Sequence, residues 1–132
     1  MNKKILIVLA NYYKDISDGL LKSALKNIPR SNRVKIIRVP GVFEIPITIS
    51  KNSKKFDAFL ALGCVIKGET YHFEIVSNEA NRGLMNIALK HSFPLGNGII
   101  TAFNYDQALK RSLDKGNEAA LACYELIKIK NY

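Results

Sequence analysis

No stretch of this chain is apolar for long enough to cross a bilayer. Runs such as Ile5 to Ala10 fall far short of the roughly 20 residues that a spanning helix needs. Lys3 and Lys4 ahead of that run resemble the start of a secretory signal. No small-residue cleavage site follows, however, and the run meets Asn11-Tyr12-Tyr13-Lys14. The expected location is the cytoplasm, without a membrane partner. Cysteine is scarce: Cys64 and Cys123 lie far apart, with no C-x-x-C spacing and no His or Cys cluster beside either. That argues against a metal site, and two small buried thiols are expected. Acidic residues are the minority, 11 against 20 Lys and Arg, for a net charge of +9. The basic residues are scattered, and no arginine-rich helix or aromatic RNA-binding motif appears, so no nucleic-acid partner is expected. Scattered lysine supports an anionic ligand only weakly. No repeat, low-complexity tract or linker divides the 132 residues, so residues 1–132 are expected to form one domain. An apolar fraction of 48% excludes disorder.

What is present alternates. Lys4 to Ala10 reads as a buried strand, β-rich and continuous. Ile16, Leu20, Leu21, Ala24, Leu25 and Ile28 then recur at helical spacing, with Asp15 or Ser17 as the cap and Pro29 as the stop. Arg33 to Val39 is a second strand, closed by the turn Pro40-Gly41. A helix starts at Phe43-Glu44-Ile45-Pro46, with proline tolerated in its first turn. Phe56 to Ile66 is the third strand. A helix from His72 or Phe73 to His91 turns Ile75, Val76, Ala80, Leu84, Ile87 and Ala88 inward. Pro94 to Phe103 is the fourth strand. Tyr105 to Leu113 is helical, with Ala108, Leu109 and Leu113 on one side, and a last helix begins at Glu118 after Asp114-Lys115-Gly116-Asn117. The order β-α-β-α-β-α-β-α-α predicts a four-stranded parallel sheet with helices on both faces, a three-layer α/β sandwich.

Ligands of such sheets bind beyond the carboxyl ends of the strands. Three of the segments there carry the distinctive residues: Asn11–Lys14, Pro40–Glu44 and Ile66–His72. The third is the outline of a strand, a glycine turn and a helix N-terminus, where unpaired N–H groups attract anions. It is not a Walker loop, because the G-x-x-x-x-G-K spacing is absent. His72 there is either a proton-transfer group or a structural residue of the helix start. His91 near a helix end simply complements the dipole. Glu44 binds hydroxyls or favours its own helix N-terminus. Tyr12 and Tyr13 stack on a flat ring or pack on the sheet rim. Arg111 and Lys115, at i and i+4, share a face if that helix continues, as a phosphate clamp or as solvated charge. A phospho-receiver domain needs acidic residues after the first and third strands, where this chain has Asn11-Tyr12 and Cys64-Val65-Ile66, and is rejected.

Three stretches carry a resemblance that spans nearly the whole chain. Val39-Pro40-Gly41-Val42-Phe43-Glu44-Ile45-Pro46, Leu62-Gly63-Cys64-Val65-Ile66-Lys67-Gly68-Glu69-Thr70-Tyr71-His72-Phe73-Glu74 and Asp114-Lys115-Gly116-Asn117-Glu118-Ala119-Ala120-Leu121 resemble 6,7-dimethyl-8-ribityllumazine synthases. The resemblance implies a flavodoxin-like fold and a transferase of riboflavin synthesis that needs no cofactor. Its reaction condenses 5-amino-6-(D-ribitylamino)uracil with L-3,4-dihydroxy-2-butanone 4-phosphate. Carried over by position, His72 is the proton-transfer residue. Tyr12, Val42, Phe43, Glu44, Cys64, Val65, Ile66, Asn97 and Lys115 face the pyrimidine and ribityl chain. Glu69, Thr70 and Arg111 hold the butanone phosphate, Glu69 through its backbone.

The chain departs from the family pattern at three places. Tyr12 stands where a stacking phenylalanine is usual, and keeps the ring face. Asn97 stands where a second phenylalanine is common, which makes the pocket more polar. About four residues of a glycine-rich connection are missing between Arg111 and Lys115, by count against the family pattern. The resemblance implies a homopentamer with sites between neighbours, Asn97 and Arg111 coming from the next subunit. Twelve such pentamers form an icosahedral shell in some members, and riboflavin synthase is the expected protein partner. The chain opens directly on its first strand, without the extension of many shell-formers. The competing reading is a non-catalytic flavin- or pterin-binding paralogue on the same fold, motivated by Asn97 and the shortened connection.

Overall fold

The computed structural model describes residues 2–129. Its elements are β1 (Lys4–Ala10), α1 (Lys14–Leu25), β2 (Arg33–Val39), a 3-10 turn (Val42–Glu44), α2 (Ile45–Lys51), β3 (Ala58–Ile66), α3 (His72–His91), β4 (Leu95–Ala102), α4 (Tyr105–Ser112) and α5 (Lys115–Lys128). The four strands run parallel in the order β2-β1-β3-β4. The expected sheet with helices on both faces is therefore present, in a flavodoxin-like arrangement.

Alternation along the buried strands divides the core in two. Ile5, Ile7 and Leu9 of β1 and Leu60 and Leu62 of β3 point toward α1, α4 and α5. Leu6, Val8, Phe59 and Ala61 point the other way, toward α2 and α3. Both faces are covered, which is why β1 and β3 read as unbroken apolar runs rather than alternating ones. Small residues set the layer spacing. A Cβ on Gly98 would fall 3.1 Å from the Ala119 Cβ and 2.5 Å from Leu62 Cδ2, so glycine there lets α5 lie close on β4.

Several details differ from the sequence reading. Tyr13, not Asp15 or Ser17, is the residue preceding α1. Ser17 lies one turn inside the helix, and its hydroxyl bonds to the carbonyls of Ala10 (2.7 Å) and Tyr13 (2.8 Å). The segment at Val42 is a 3-10 turn before α2 begins. The last helix starts at Lys115, three residues early, because Gly116 and Asn117 belong to it. Helix α4 ends at Ser112, so Arg111 and Lys115 sit on two separate helices rather than one face. Leu25, Ile75, Leu109 and Leu113 are exposed rather than inward, Leu113 at 76%.

Candidate active site

The cavity lies where three adjacent strands release their loops. In the order β2-β1-β3, the chain leaves β1 for β2 on one side and reaches β3 on the other. The crevice beyond β1 and β3 is thus a topological switch point, where open parallel sheets bind ligands. A cavity of about 420 Å³ occupies it, lined by residues after β1 (Tyr12, Tyr13), after β2 (Gly41, Val42, Phe43, Glu44), at the end of β3 (Cys64, Val65, Ile66) and around the start of α3 (Gly68, Thr70, His72, Phe73, Ile75, Val76). That volume suits a small organic ligand.

Each wall is held by contacts of its own. The Asn11 N–H donates to Val39 O at 2.9 Å, and Arg38 Nη1 to Asn11 Oδ1 at 3.3 Å, which ties the β1 loop to the end of β2. Val42 is buried against Gly63: a Cβ there would meet Val42 Cγ2 at 2.7 Å. The missing side chain on β3 is what seats the 3-10 turn. Glu44 follows, half-buried, with its backbone carbonyl accepting from Thr48 Oγ1 at 2.8 Å. Beyond β3 the Lys67 N–H continues the ladder to Ala102 O at 2.9 Å, and the Lys67 ammonium sits 5.6 Å from the centre of the exposed Phe103 ring. The loop then enters α3, a 20-residue helix whose first residue is His72. The His72 N–H reaches Thr70 Oγ1 at 3.4 Å. The helix's N-terminal amides face this loop and form an anion-attracting end.

The electrostatics separate the polar rim from the floor. Burial pushes the Cys64 thiol up to about 12. It is therefore uncharged near neutral pH and gives the floor its shape rather than a nucleophile. Burial also raises the Tyr13 phenol, helped by the nearby Cys64 and Tyr12. His72 and Thr70 are exposed at the rim, open to water.

Of the thirteen residues singled out by sequence, the cavity brings together nine: Tyr12, Val42, Phe43, Glu44, Cys64, Val65, Ile66, Thr70 and His72. Glu69 is exposed in the same loop, off the cavity wall. Three others lie elsewhere on the chain. Asn97 is on β4, its Nδ2 donating to Asn81 Oδ1 at 2.7 Å and its Oδ1 accepting from the Ile99 N–H at 2.9 Å. Arg111 is exposed in the last turn of α4, and Lys115 is the first residue of α5. Sequence reasoning left Tyr13 between a stacking and a rim role, and missed Phe73, Ile75 and Val76 as walls. The last three follow the loop by one helical turn, so a helix that begins at a cavity lends its first turn to it.

Relatives of known name decide the family. A family model described as 6,7-dimethyl-8-ribityllumazine synthase matches residues 2–131. The chain belongs to this family. The 6,7-dimethyl-8-ribityllumazine synthase of Afipia carboxidovorans is 43% identical over 96% of the chain and 85% of that protein. The protein of the same name from Agrobacterium fabrum is 43% identical, over 96% of the chain and 93% of its own length. That of Azoarcus sp. is 40% identical over 93% and 83%. The family places the chain among the transferases of riboflavin biosynthesis. Among the described residues no helix is long and apolar enough to cross a membrane.

Proposed function

We propose that the protein condenses 5-amino-6-(D-ribitylamino)uracil with L-3,4-dihydroxy-2-butanone 4-phosphate, releasing lumazine, phosphate and water. Residues 1–132 act in this reading as one domain. The observation that carries it is the convergence of two of the family's motif stretches, around Val42–Glu44 and Cys64–His72, with the β1 loop on one cavity, with apolar walls and a rim of His72, Thr70 and helix amides. The flat pyrimidine fits between Tyr12 and the Val42–Phe43 wall, and Glu44 accepts from ribityl hydroxyls. Thr70 and the backbone of Glu69 meet the phosphate at the start of α3.

The pyrimidine amine attacks the ketone, and water leaves to give an imine. Loss of a proton from the adjacent carbon and of phosphate from the next gives an enol. The enol becomes a ketone, on which the ribitylamino nitrogen closes with loss of a second water. Every step moves protons, and His72 at the rim is the group placed to do so. Holding both reactants in one cavity removes the cost of their encounter. Mixing the protein with both substrates is expected to give lumazine fluorescence and free phosphate above the spontaneous rate. Product at the spontaneous rate alone would overturn the reading. His72→Ala is expected to lower kcat by about 10²-fold with both KM values kept, the low end for an acid–base group, because His72 is exposed and water reaches its position.

The proposed assembly is a homopentamer, with a shell of twelve pentamers as its larger form. Its support is twofold. Asn97, Arg111 and Lys115 lie off the cavity of their own chain, as residues that close a neighbour's site must. Phe43, Ile47, Met85, Leu89 and Leu113 are each more than half exposed, an apolar surface that a lone chain leaves in water. Light scattering at micromolar concentration is expected to give the pentamer mass or its twelvefold multiple, and a stable monomer overturns the shared site. The proposed location is the cytoplasm. Its support is that both cysteines are free, the usage of a reducing compartment.

A further inference from the structure

Tyr13 is a cavity tyrosine whose ring is fixed in place and whose hydroxyl has no protein partner among the described residues. Its backbone is anchored at the start of α1: the carbonyl accepts from the Ser17 N–H at 2.8 Å and from Ser17 Oγ at 2.8 Å. Its ring is gripped on two sides. It meets Tyr12 edge-on at 4.9 Å between centroids and Tyr105 at 6.4 Å. It also packs against the core cluster that includes Cys64. Two other tyrosines of the chain show what a phenol normally does. The Tyr105 hydroxyl reaches Asp15 Oδ2 at 3.4 Å, and the Tyr124 hydroxyl accepts from Asn32 Nδ2. The Tyr13 hydroxyl has no hydrogen-bond partner among the described residues. It is not among the buried unpaired atoms of the described residues, so it is open to solvent and free to meet a ligand. Burial of the ring keeps this phenol protonated, hence a donor. Tyr13 lines the same cavity as Val42, Val65, Ile66 and Val76, and in such an apolar cavity a few polar groups fix a ligand's orientation.

We propose that the Tyr13 hydroxyl is a specificity-determining donor to an uncharged oxygen of the ribitylaminouracil substrate, a class shared by its ring carbonyls and its ribityl hydroxyls. The inference rests on this cavity being the pyrimidine site. It extends that reading to a residue outside the family motifs, on the loop that follows β1. A site that offers a hydrogen bond discriminates against ligands that lack the matching atom.

Tyr13→Phe isolates the hydroxyl, because phenylalanine keeps both ring contacts. It is expected to raise the KM for the pyrimidine about 3- to 10-fold, the value of one neutral hydrogen bond. The KM for the butanone phosphate and kcat stay as they were. A purely structural role would not split the constants this way. Fluorescence titration with 6,7-dimethyl-8-ribityllumazine and with its 8-methyl analogue then locates the acceptor. Weakening of the ribityl ligand alone assigns the bond to the polyol, and weakening of both assigns it to the ring. Glu44→Gln serves as the reference variant. If Glu44→Gln weakens pyrimidine binding and Tyr13→Phe leaves it unchanged, the Tyr13 assignment is wrong and the site stands. If neither variant changes it, the site reading fails with it.

Discussion

Gly116→Ala is expected to lower folding stability by about 2–3 kcal/mol, read as a fall in the urea midpoint with an unchanged slope. The added methyl would lie 2.1 Å from Leu20 O, 2.4 Å from Ser23 Oγ and 2.8 Å from Ala24 N. Two of these are backbone atoms of α1, which cannot rotate away. The third holds its own position, since Ser23 Oγ bonds to Leu20 O at 3.1 Å and to Ser112 O at 3.3 Å. Relief therefore requires α5 to move as a body. Overpacking of this kind costs typically 1–3 kcal/mol and occasionally more. Alanine returns at most about 1 kcal/mol of helix propensity, less at the second residue of a helix, so the clash wins. Gly68→Ala is the control. Nothing lies within 4 Å of a Cβ there, and its midpoint should stay where it was at equal protein concentration. An unchanged midpoint for Gly116→Ala would mean that the α1–α5 contact yields without cost.

That glycine also marks where the sequence misleads. Read linearly, Asp114-Lys115-Gly116-Asn117 is a loop, because glycine and asparagine punctuate chains. In the fold Gly116 is buried inside α5, selected by a close approach that no local pattern encodes. The strands were legible for the opposite reason. Burial on both faces makes Ile5 to Ala10 and Ala58 to Leu62 apolar without interruption, and that signal is local. The cap of α1 was missed because Ser17, a residue suited to capping, spends its hydroxyl on Ala10 O and Tyr13 O from inside the helix. Helix periodicity assigned Ile75, Leu109 and Leu113 to a core, yet all three are exposed. Periodicity reports that a face is apolar and not which chain covers it. The same limit governs the site. The motif loops around Val42–Glu44 and Cys64–His72 declared themselves in order and spacing. Tyr13 did not, since only the packing of Tyr12 and Tyr105 around it distinguishes it from a rim residue.

Arg111→Ala is expected to raise the KM for the butanone phosphate about 10- to 100-fold, the loss of a hydrogen bond between charged groups. The KM for the pyrimidine and the folding midpoint should stay nearly constant. Arg111 is exposed in the last turn of α4, and its guanidinium has no ion pair among the described residues. No described side chain therefore depends on its charge, whereas a dianionic phosphate at the start of α3 would. Because Arg111 lies off its own cavity, the sharper test is mixing. In a symmetric ring each site takes one wall from each of two neighbours. Co-refolding equal amounts of His72→Ala and Arg111→Ala chains then restores some sites in full, those that pair the intact His72 of one chain with the intact Arg111 of the next. Random assembly makes these about a quarter of all sites, so at butanone phosphate well below its KM the mixture should run well above the mean of its two parents. A mixture no faster than that mean places both residues in the site of a single chain, and the shared-site arrangement falls. Unchanged KM values for Arg111→Ala alone remove the arginine from the site altogether.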